Sequence, residues 1–80
     1  MAVNEKDRSE VVFEIKEHLG VINAYSTGWT KELNLVSWNN GQPKYDIREW
    51  DGTHEHMSRG ITLYASEIRK LYELLDGREL

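Results

Sequence analysis

The amino-acid sequence predicts an α+β fold, in which a curved four-stranded antiparallel sheet is followed by one C-terminal helix (ββββα). Apolar and polar residues alternate in four short stretches before residue 64, as they do in strands with one face buried and one in water. Asn- and Gly-containing turn segments separate these stretches. From Ala65 onward the apolar residues recur at helical spacing. A run of strands before a single helix indicates a sheet with the helix on one face.

The length of 80 residues allows one small domain. We expect residues 1–10 to form a flexible N-terminal arm, residues 11–76 the folded domain and residues 77–80 a C-terminal tail. A domain of this size gains stability from a partner subunit, which favours a homodimer. The chain has no cysteine and no apolar run of about 18 residues, so we expect a cytoplasmic protein without disulfides or a membrane partner.

The first strand is predicted over residues 11–18, with Phe13 and Ile15 on its apolar face. Gly20 indicates a bulge or bend before the extended run continues. Residues 23–28 have turn composition, and a second strand is predicted from there to about Trp38.

The hairpin after the second strand has two possible registers. The Asn40-Gly41 pair is typical of a two-residue turn, which would pair Leu35 with Asp46 and mix apolar and charged residues on both faces. A loop longer by one residue would pair Leu35 with Ile47 instead. Because a slip by one residue moves every side chain to the other face, burial favours the three-residue loop.

The third and fourth strands and the helix complete the predicted domain. In the third strand Tyr45 and Ile47 point to one face, and the other face carries Lys44, Asp46, Arg48 and Trp50. Residues 59–63 form the short fourth strand. The helix is predicted over residues 65–76, with Gly77 as its stop and an apolar stripe of Ile68, Leu71, Tyr72 and Leu75. This stripe is expected to cover an apolar sheet face made of Phe13, Ile15, Leu33, Leu35, Ile47, Ile61 and Leu63.

The polar face of the third strand, together with Trp38, is the candidate binding site. Bases of a single strand stack on aromatic rings with about 1–3 kcal/mol per base, without regard to sequence, while basic side chains hold the phosphates. The predicted contacts on this face are Trp38, Trp50, Lys44 and Arg48, with Lys16 of the first strand as a weaker candidate. Gly60 is interpreted as a bare position where a base or backbone can approach.

Each of these residues also has a simpler interpretation. One tryptophan could close a small second core or lie in a dimer contact. Arg48 could form a surface ion pair with Asp46, and Lys16 could lie on a solvated strand face beside Glu14. The net charge of −4 favours a different class of function, a protein–protein interaction module that uses the same tryptophans as a hot spot. Salt dependence separates the two classes, because phosphate binding weakens steeply with salt.

Metal binding and catalysis have little support in the sequence. His54 and His56 lie two residues apart without the further ligands that a zinc site requires. The chain has no Ser/His/Asp constellation, no phosphate-binding glycine loop and no paired carboxylates in an apolar setting. We therefore predict neither an enzyme nor a cofactor.

Two segments of the sequence, in the third and fourth predicted strands, resemble those of a known family. The third strand DIREW (residues 46–50) and the fourth strand RGITL (residues 59–63), with Trp38 before them and a short helix after, resemble the transcriptional coactivator positive cofactor four family. The sequence is most similar to the small bacterial YdbC-like members, and the resemblance covers about residues 11–76.

The resemblance implies a homodimer whose curved sheets form a groove for single-stranded DNA. It implies strand contacts by Trp38, Arg48, Trp50 and the basic residue before the glycine, Arg59. Where eukaryotic members have lysines after the first aromatic residue, this chain has Asn39 and Asn40. We expect binding of single-stranded DNA with little sequence preference, in transcription regulation, replication or repair, with RNA and association with the nucleoid left open.

Overall fold

A computed structural model describes residues 11–80, so the predicted N-terminal arm lies outside the described residues. The sheet contains β1 (Phe13–Ala24), β2 (Thr30–Trp38), β3 (Lys44–Trp50) and β4 (Ile61–Leu63), followed by helix α1 (Ala65–Leu75). The strands are antiparallel neighbours in chain order. The predicted ββββα order is therefore confirmed. The helix in this part of the chain is not long and apolar enough to cross a membrane.

Cross-strand pairing divides the sheet into two faces. The inner face, as we call it, carries Phe13, Ile15, His18, Thr30, Glu32, Asn34, Val36, Trp38, Lys44, Asp46, Arg48, Trp50 and Thr62. The helix face carries Leu33, Leu35, Tyr45, Ile47, Ile61 and Leu63. Residues that lie directly opposite each other in an antiparallel pair share a face, which fixes this division.

The placement of Phe13 and Ile15 on the helix face was wrong. Phe13 pairs with Trp38 and Ile15 pairs with Val36, so both lie on the inner face. The Phe13 ring packs on both tryptophans of that face, at centroid distances of 5.8 and 5.2 Å, which alternation within one strand cannot reveal. The predicted irregularity near Gly20 is confirmed, because the register of β1 shifts between His18 and Gly20.

The predicted register of the β2–β3 hairpin, with Leu35 opposite Ile47, was also wrong. Asn39 and Asn40 have φ values of 51° and 62°, and the Gly41 N–H donates to the Trp38 carbonyl at 2.9 Å, so the tight turn lies one residue earlier than predicted. Leu35 consequently pairs with Tyr45. This register differs from the expected one by two residues, so each β3 side chain keeps its predicted face.

Burial is concentrated on the inner face. The buried apolar residues among 11–80 are Val36 and Trp50. The buried polar residues are Glu32, Asn34 and Asp46 on the inner face and Ser37 on the other face. Helix α1 buries none of its residues within the described chain and contacts only β3 and β4 of the sheet. The polar side of the sheet is thus the better packed one, and the apolar helix side is the open one.

Candidate nucleic-acid interface

Trp38 lies at the end of β2 in contact with an aromatic ring and a guanidinium. The ring of Phe13 approaches it at a centroid distance of 5.8 Å, and the Arg48 Cζ lies 4.6 Å from its ring centroid. The residue is half-buried. A cation held against an indole face contributes roughly 0.5–2 kcal/mol and fixes the ring orientation. Trp38 is therefore a partly accessible, preoriented aromatic surface.

Arg48 is neutralised by its neighbour on the same strand. Its Nε donates to Asp46 Oδ1 at 2.6 Å and its Nη2 donates to Asp46 Oδ2 at 2.8 Å, a bidentate pair. The side chain of Arg48 is 13% exposed and that of Asp46 is 0% exposed. The Arg48 Nη1 also donates to the Ser58 carbonyl at 3.4 Å. The simpler interpretation of Arg48 as an ion-paired residue is confirmed, although the pair is buried and not on the surface.

Trp50 lies beneath other aromatic groups. It is 0% exposed, and its ring contacts Phe13 at 5.2 Å and His54 at 5.6 Å between centroids. A base could reach this indole only if Phe13 or His54 moved. The inner face thus brings Trp50 close to Trp38 through their shared neighbour Phe13.

Lys44 and Arg59 are the uncompensated cations near this site. The Lys44 Nζ lies 4.9 Å from the ring centroid of Tyr64, and Arg59 is exposed beside Gly60. Neither forms an ion pair with any carboxylate in residues 11–80. Their charges are available to a phosphate backbone, unlike the charge of Arg48.

Lys16 is separated from the other candidates. It is the extra residue at the register shift between Ile15 and Glu17, and its ammonium lies 3.3 Å from Glu14 Oε1. Glu14 pairs with Ser37, which belongs to the opposite face from Trp38. The structure therefore does not bring Lys16 together with the tryptophans.

Gly60 packs on Arg48. A Cβ built on this glycine would overlap the Arg48 Cβ and the Ile47 carbonyl oxygen, and it would lie 3.0 Å from the Arg48 Nε. Gly60 is therefore not a bare position where a base can approach, because Arg48 and Ile47 fill the space beside it. Glycine is required here because the chain before β4 must press against the guanidinium stem.

A buried carboxylate, missed by the sequence reasoning, organises the rest of the inner face. Glu32 accepts hydrogen bonds from Thr30 Oγ1 at 2.5 Å and Asn34 Nδ2 at 3.1 Å, and the His54 Nε2 lies 2.9 Å from its Oε2. Burial alone would raise the pKa of Glu32, but these hydrogen bonds and the charge of His54 outweigh it and lower the pKa. Glu32 lies opposite Arg48 on this face, and the fold of the β3–β4 connection brings His54 to it.

The β3–β4 connection is held by Asp51. The His56 Nδ1 lies 2.8 Å from Asp51 Oδ2, and the backbone N–H groups of Glu55 and His56 donate to Asp51 Oδ1 at 3.0 and 3.2 Å. The hydrogen bond with His56 lowers the pKa of Asp51 and raises that of His56. In residues 11–80 no three His, Cys, Asp or Glu side chains are grouped to hold a metal ion.

Comparison with known proteins agrees with the resemblance. The sequence profile of the family described as Transcriptional Coactivator p15 (PC4) matches residues 25–74, more than half of the chain. An uncharacterised protein from Treponema pallidum (strain Nichols) is 37% identical over 68 residues, which cover 85% of this chain and 80% of that protein. The matched segment contains β2, β3, β4 and all of α1 except its last residue, so the chain belongs to the transcriptional coactivator p15 (PC4) family.

Proposed function

We propose that this protein binds single-stranded DNA on its inner face, with little sequence preference, and acts in transcription regulation, replication or repair. Membership of a coactivator family supports nucleic-acid binding in general. The observation that carries the finer proposal is Trp38, a half-buried indole at the end of β2 that contacts Phe13 and Arg48. A preoriented, partly accessible indole is suited to stacking on an unpaired base, which a duplex does not offer.

The predicted contact residues take different roles in this proposal. A base stacks on Trp38, while Lys44 and Arg59 hold phosphates because no carboxylate in the described chain compensates them. Arg48 orients the Trp38 ring, since its Nε, Nη1 and Nη2 groups already donate to Asp46, Met57 and Ser58. Trp50 supports the site from below, since its ring is buried. Lys16, which is paired with Glu14, contributes least.

The proposal includes a homodimer formed through the helix side. Four apolar residues of helix α1 are between 39% and 69% exposed, namely Leu71, Tyr72, Leu74 and Leu75, and Ile61 of β4 is 51% exposed. An exposed apolar surface made by a helix and a sheet edge is typical of a protein interface. Association through this side would leave the inner face of each subunit free for a strand.

The direct test is a titration with an oligo-dT of about 20 nucleotides, a matched RNA and a matched duplex, at low and high salt. We expect binding of the single strands that weakens as salt rises, with little binding of the duplex. Trp38→Ala should weaken oligo-dT binding by roughly 1–3 kcal/mol, about 5- to 150-fold. Replacing Lys44 or Arg59 by Gln should each reduce the slope of log K against log salt by about 1.

Trp29→Ala is the matched control for Trp38→Ala, because Trp29 is also half-buried but lies outside the inner face. It should bind oligo-dT like the natural protein. Equal affinity of Trp38→Ala and Trp29→Ala would remove Trp38 from the site. Failure of the natural protein to bind any single strand would exclude the proposed function and favour the protein-interaction alternative.

A further inference from the structure

The β1–β2 hairpin carries two aromatic residues beside its turn, Tyr25 and Trp29, which are not part of the inner face. The Tyr25 N–H donates to the Trp29 carbonyl at 2.9 Å, and the Gly28 N–H donates to the Tyr25 carbonyl at 3.0 Å. Gly28 adopts a φ of 98°, which closes the turn between them. Tyr25 and Trp29 are therefore opposite each other across a tight turn, so their side chains project to the same side of the hairpin.

These two rings line a cavity together with Thr27 and Glu49. The cavity is open to solvent, and its volume is about 450 Å³. Glu49 pairs with Lys31 in the register that places Arg48 and Trp50 on the inner face. Because neighbouring residues of a strand point to opposite sides, the cavity opens on the other side of the sheet from the inner face.

The carboxylate of Glu49 has no compensating partner. Glu49 is half-buried, and its carboxylate forms no ion pair and accepts no side-chain hydrogen bond within residues 11–80. Lys31 lies opposite it in β2 but does not form an ion pair with it. A half-buried carboxylate flanked by aromatic rings attracts an organic cation, by direct charge attraction and by the negative faces of the rings.

We propose that the cavity formed by Tyr25, Thr27, Trp29 and Glu49 binds a primary alkylammonium group. The ammonium donates N–H bonds to the Glu49 carboxylate and the Thr27 hydroxyl, and its alkyl stem lies along the two rings. The cavity is larger than an ammonium head, so a stem of several methylene groups fits. This chemistry is shared by a free diamine or polyamine and by a lysine side chain of a partner protein. The proposal is independent of single-strand binding.

The test uses 1,4-diaminobutane and an N-acetylated, C-amidated Gly-Lys-Gly peptide as probes. Binding is detected by the NMR chemical shifts of the indole and backbone resonances of residues 25–29. We expect saturable shifts at Trp29 with at least one probe, and none with 1-butanol, which has the stem without the charge. Binding by the diamine identifies a free ligand, and binding by the peptide alone identifies a lysine of a partner. Absence of saturable shifts with both probes would overturn the proposal.

Three variants identify the charge that matters. Glu49→Gln keeps the shape of the side chain and should weaken binding by about tenfold or more, because a charged hydrogen bond is lost. Glu17→Gln removes an exposed carboxylate of β1 and should change nothing. Lys31→Met removes the neighbouring cation and should strengthen binding several-fold. Equal weakening by Glu49→Gln and Glu17→Gln would show a nonspecific charge effect and contradict the site. Unchanged oligo-dT binding by Glu49→Gln keeps this result separate from the proposed function.

Discussion

At the scale of single residues, Arg48 shows that a basic residue on a predicted binding face is not a free charge. Its guanidinium is shared between the Asp46 carboxylate, at 2.6 and 2.8 Å, and the Trp38 ring, at 4.6 Å. Its charge is thus compensated by Asp46, and its contact with Trp38 holds that ring in place. The sequence alone gives no reason to prefer Lys44 and Arg59 over Arg48. Their charges are not paired within the described residues, so they are the better candidates for phosphate contact.

The pair of Asp46 and Arg48 should be costly to break. Asp46→Asn removes the charge and leaves Arg48, 13% exposed, without its counterion. We expect the free energy of unfolding to fall by about 2–3 kcal/mol, measured by urea denaturation. Glu14→Gln, which breaks the exposed pair with Lys16, should cost less than about 1 kcal/mol. Equal effects of the two variants would contradict the buried character of the Asp46–Arg48 pair.

Gly60 provides a second prediction at the residue scale. Gly60→Ala would place a methyl group on the Arg48 stem and the Ile47 carbonyl, so we expect a loss of about 1–3 kcal/mol in unfolding free energy and weaker oligo-dT binding. A Cβ at Gly20 meets no atom within 4 Å. Gly20→Ala is therefore the control and should leave both measurements nearly unchanged. A stable Gly60→Ala variant with natural affinity would show that β4 is free to shift away from Arg48.

At the scale of elements, the β3–β4 connection is fastened by two sets of side-chain contacts. Asp51 binds its own loop through His56, and His54 reaches across the inner face to Glu32 at 2.9 Å. The loop backbone accommodates this contact by placing His54 at a φ of 61°. These contacts give the polar connection a fixed position over Trp50.

The Asp51–His56 pair makes this loop sensitive to pH. The raised pKa of His56 means that its contribution to stability is complete below about pH 6.5 and is lost as pH rises through the folded-state pKa. The lowered pKa of Asp51 means that its contribution is complete above about pH 4 and is lost as pH falls through the folded-state value. The loop is therefore best held between about pH 4 and 6.5.

An NMR titration of the His56 ring tests this pairing. In the natural protein the His56 pKa should lie above its ordinary value, and Asp51→Asn should return it toward that value. Asp76→Asn, at the end of helix α1, is the control and should leave the His56 titration unchanged. If Asp51→Asn has no effect on the His56 titration, the hydrogen bond between these side chains does not hold the loop.

At the scale of the whole molecule, apolar surface is distributed unevenly between the two sides. The inner face buries its polar groups by pairing them, whereas Leu74 and Tyr72 of helix α1 remain 65% and 69% exposed. A small chain that leaves this much apolar surface in water lowers its free energy by covering it. The homodimer proposed above provides that cover.

Light scattering after size-exclusion chromatography tests the proposed dimer. We expect a mass of two chains for the natural protein and a shift toward the single-chain mass for Leu74→Lys, which places a charge in the apolar surface. Glu73→Lys introduces the same residue on the neighbouring, polar side of the helix and should stay dimeric. A natural protein that elutes with the mass of one chain at high concentration would exclude the homodimer.

The sequence by itself determined the order of the elements, the faces of β3 and the family. These features depend on short-range patterns, namely period two in the strands, helical spacing after Ala65 and the DIREW and RGITL segments, so they can be read along the chain. They placed Trp38, Lys44, Arg48 and Trp50 on one face.

Only the tertiary structure decided which of those residues are accessible. Trp50 is buried because Phe13 of β1 and His54 of a loop meet on it, and Arg48 is neutralised because Asp46 shares its side of the strand. The turn at Asn39 and Asn40 set the β2–β3 register, which differs by two residues from the predicted one. Burial, pairing and register depend on contacts between segments distant in sequence, and alternation within one segment carries no information about them.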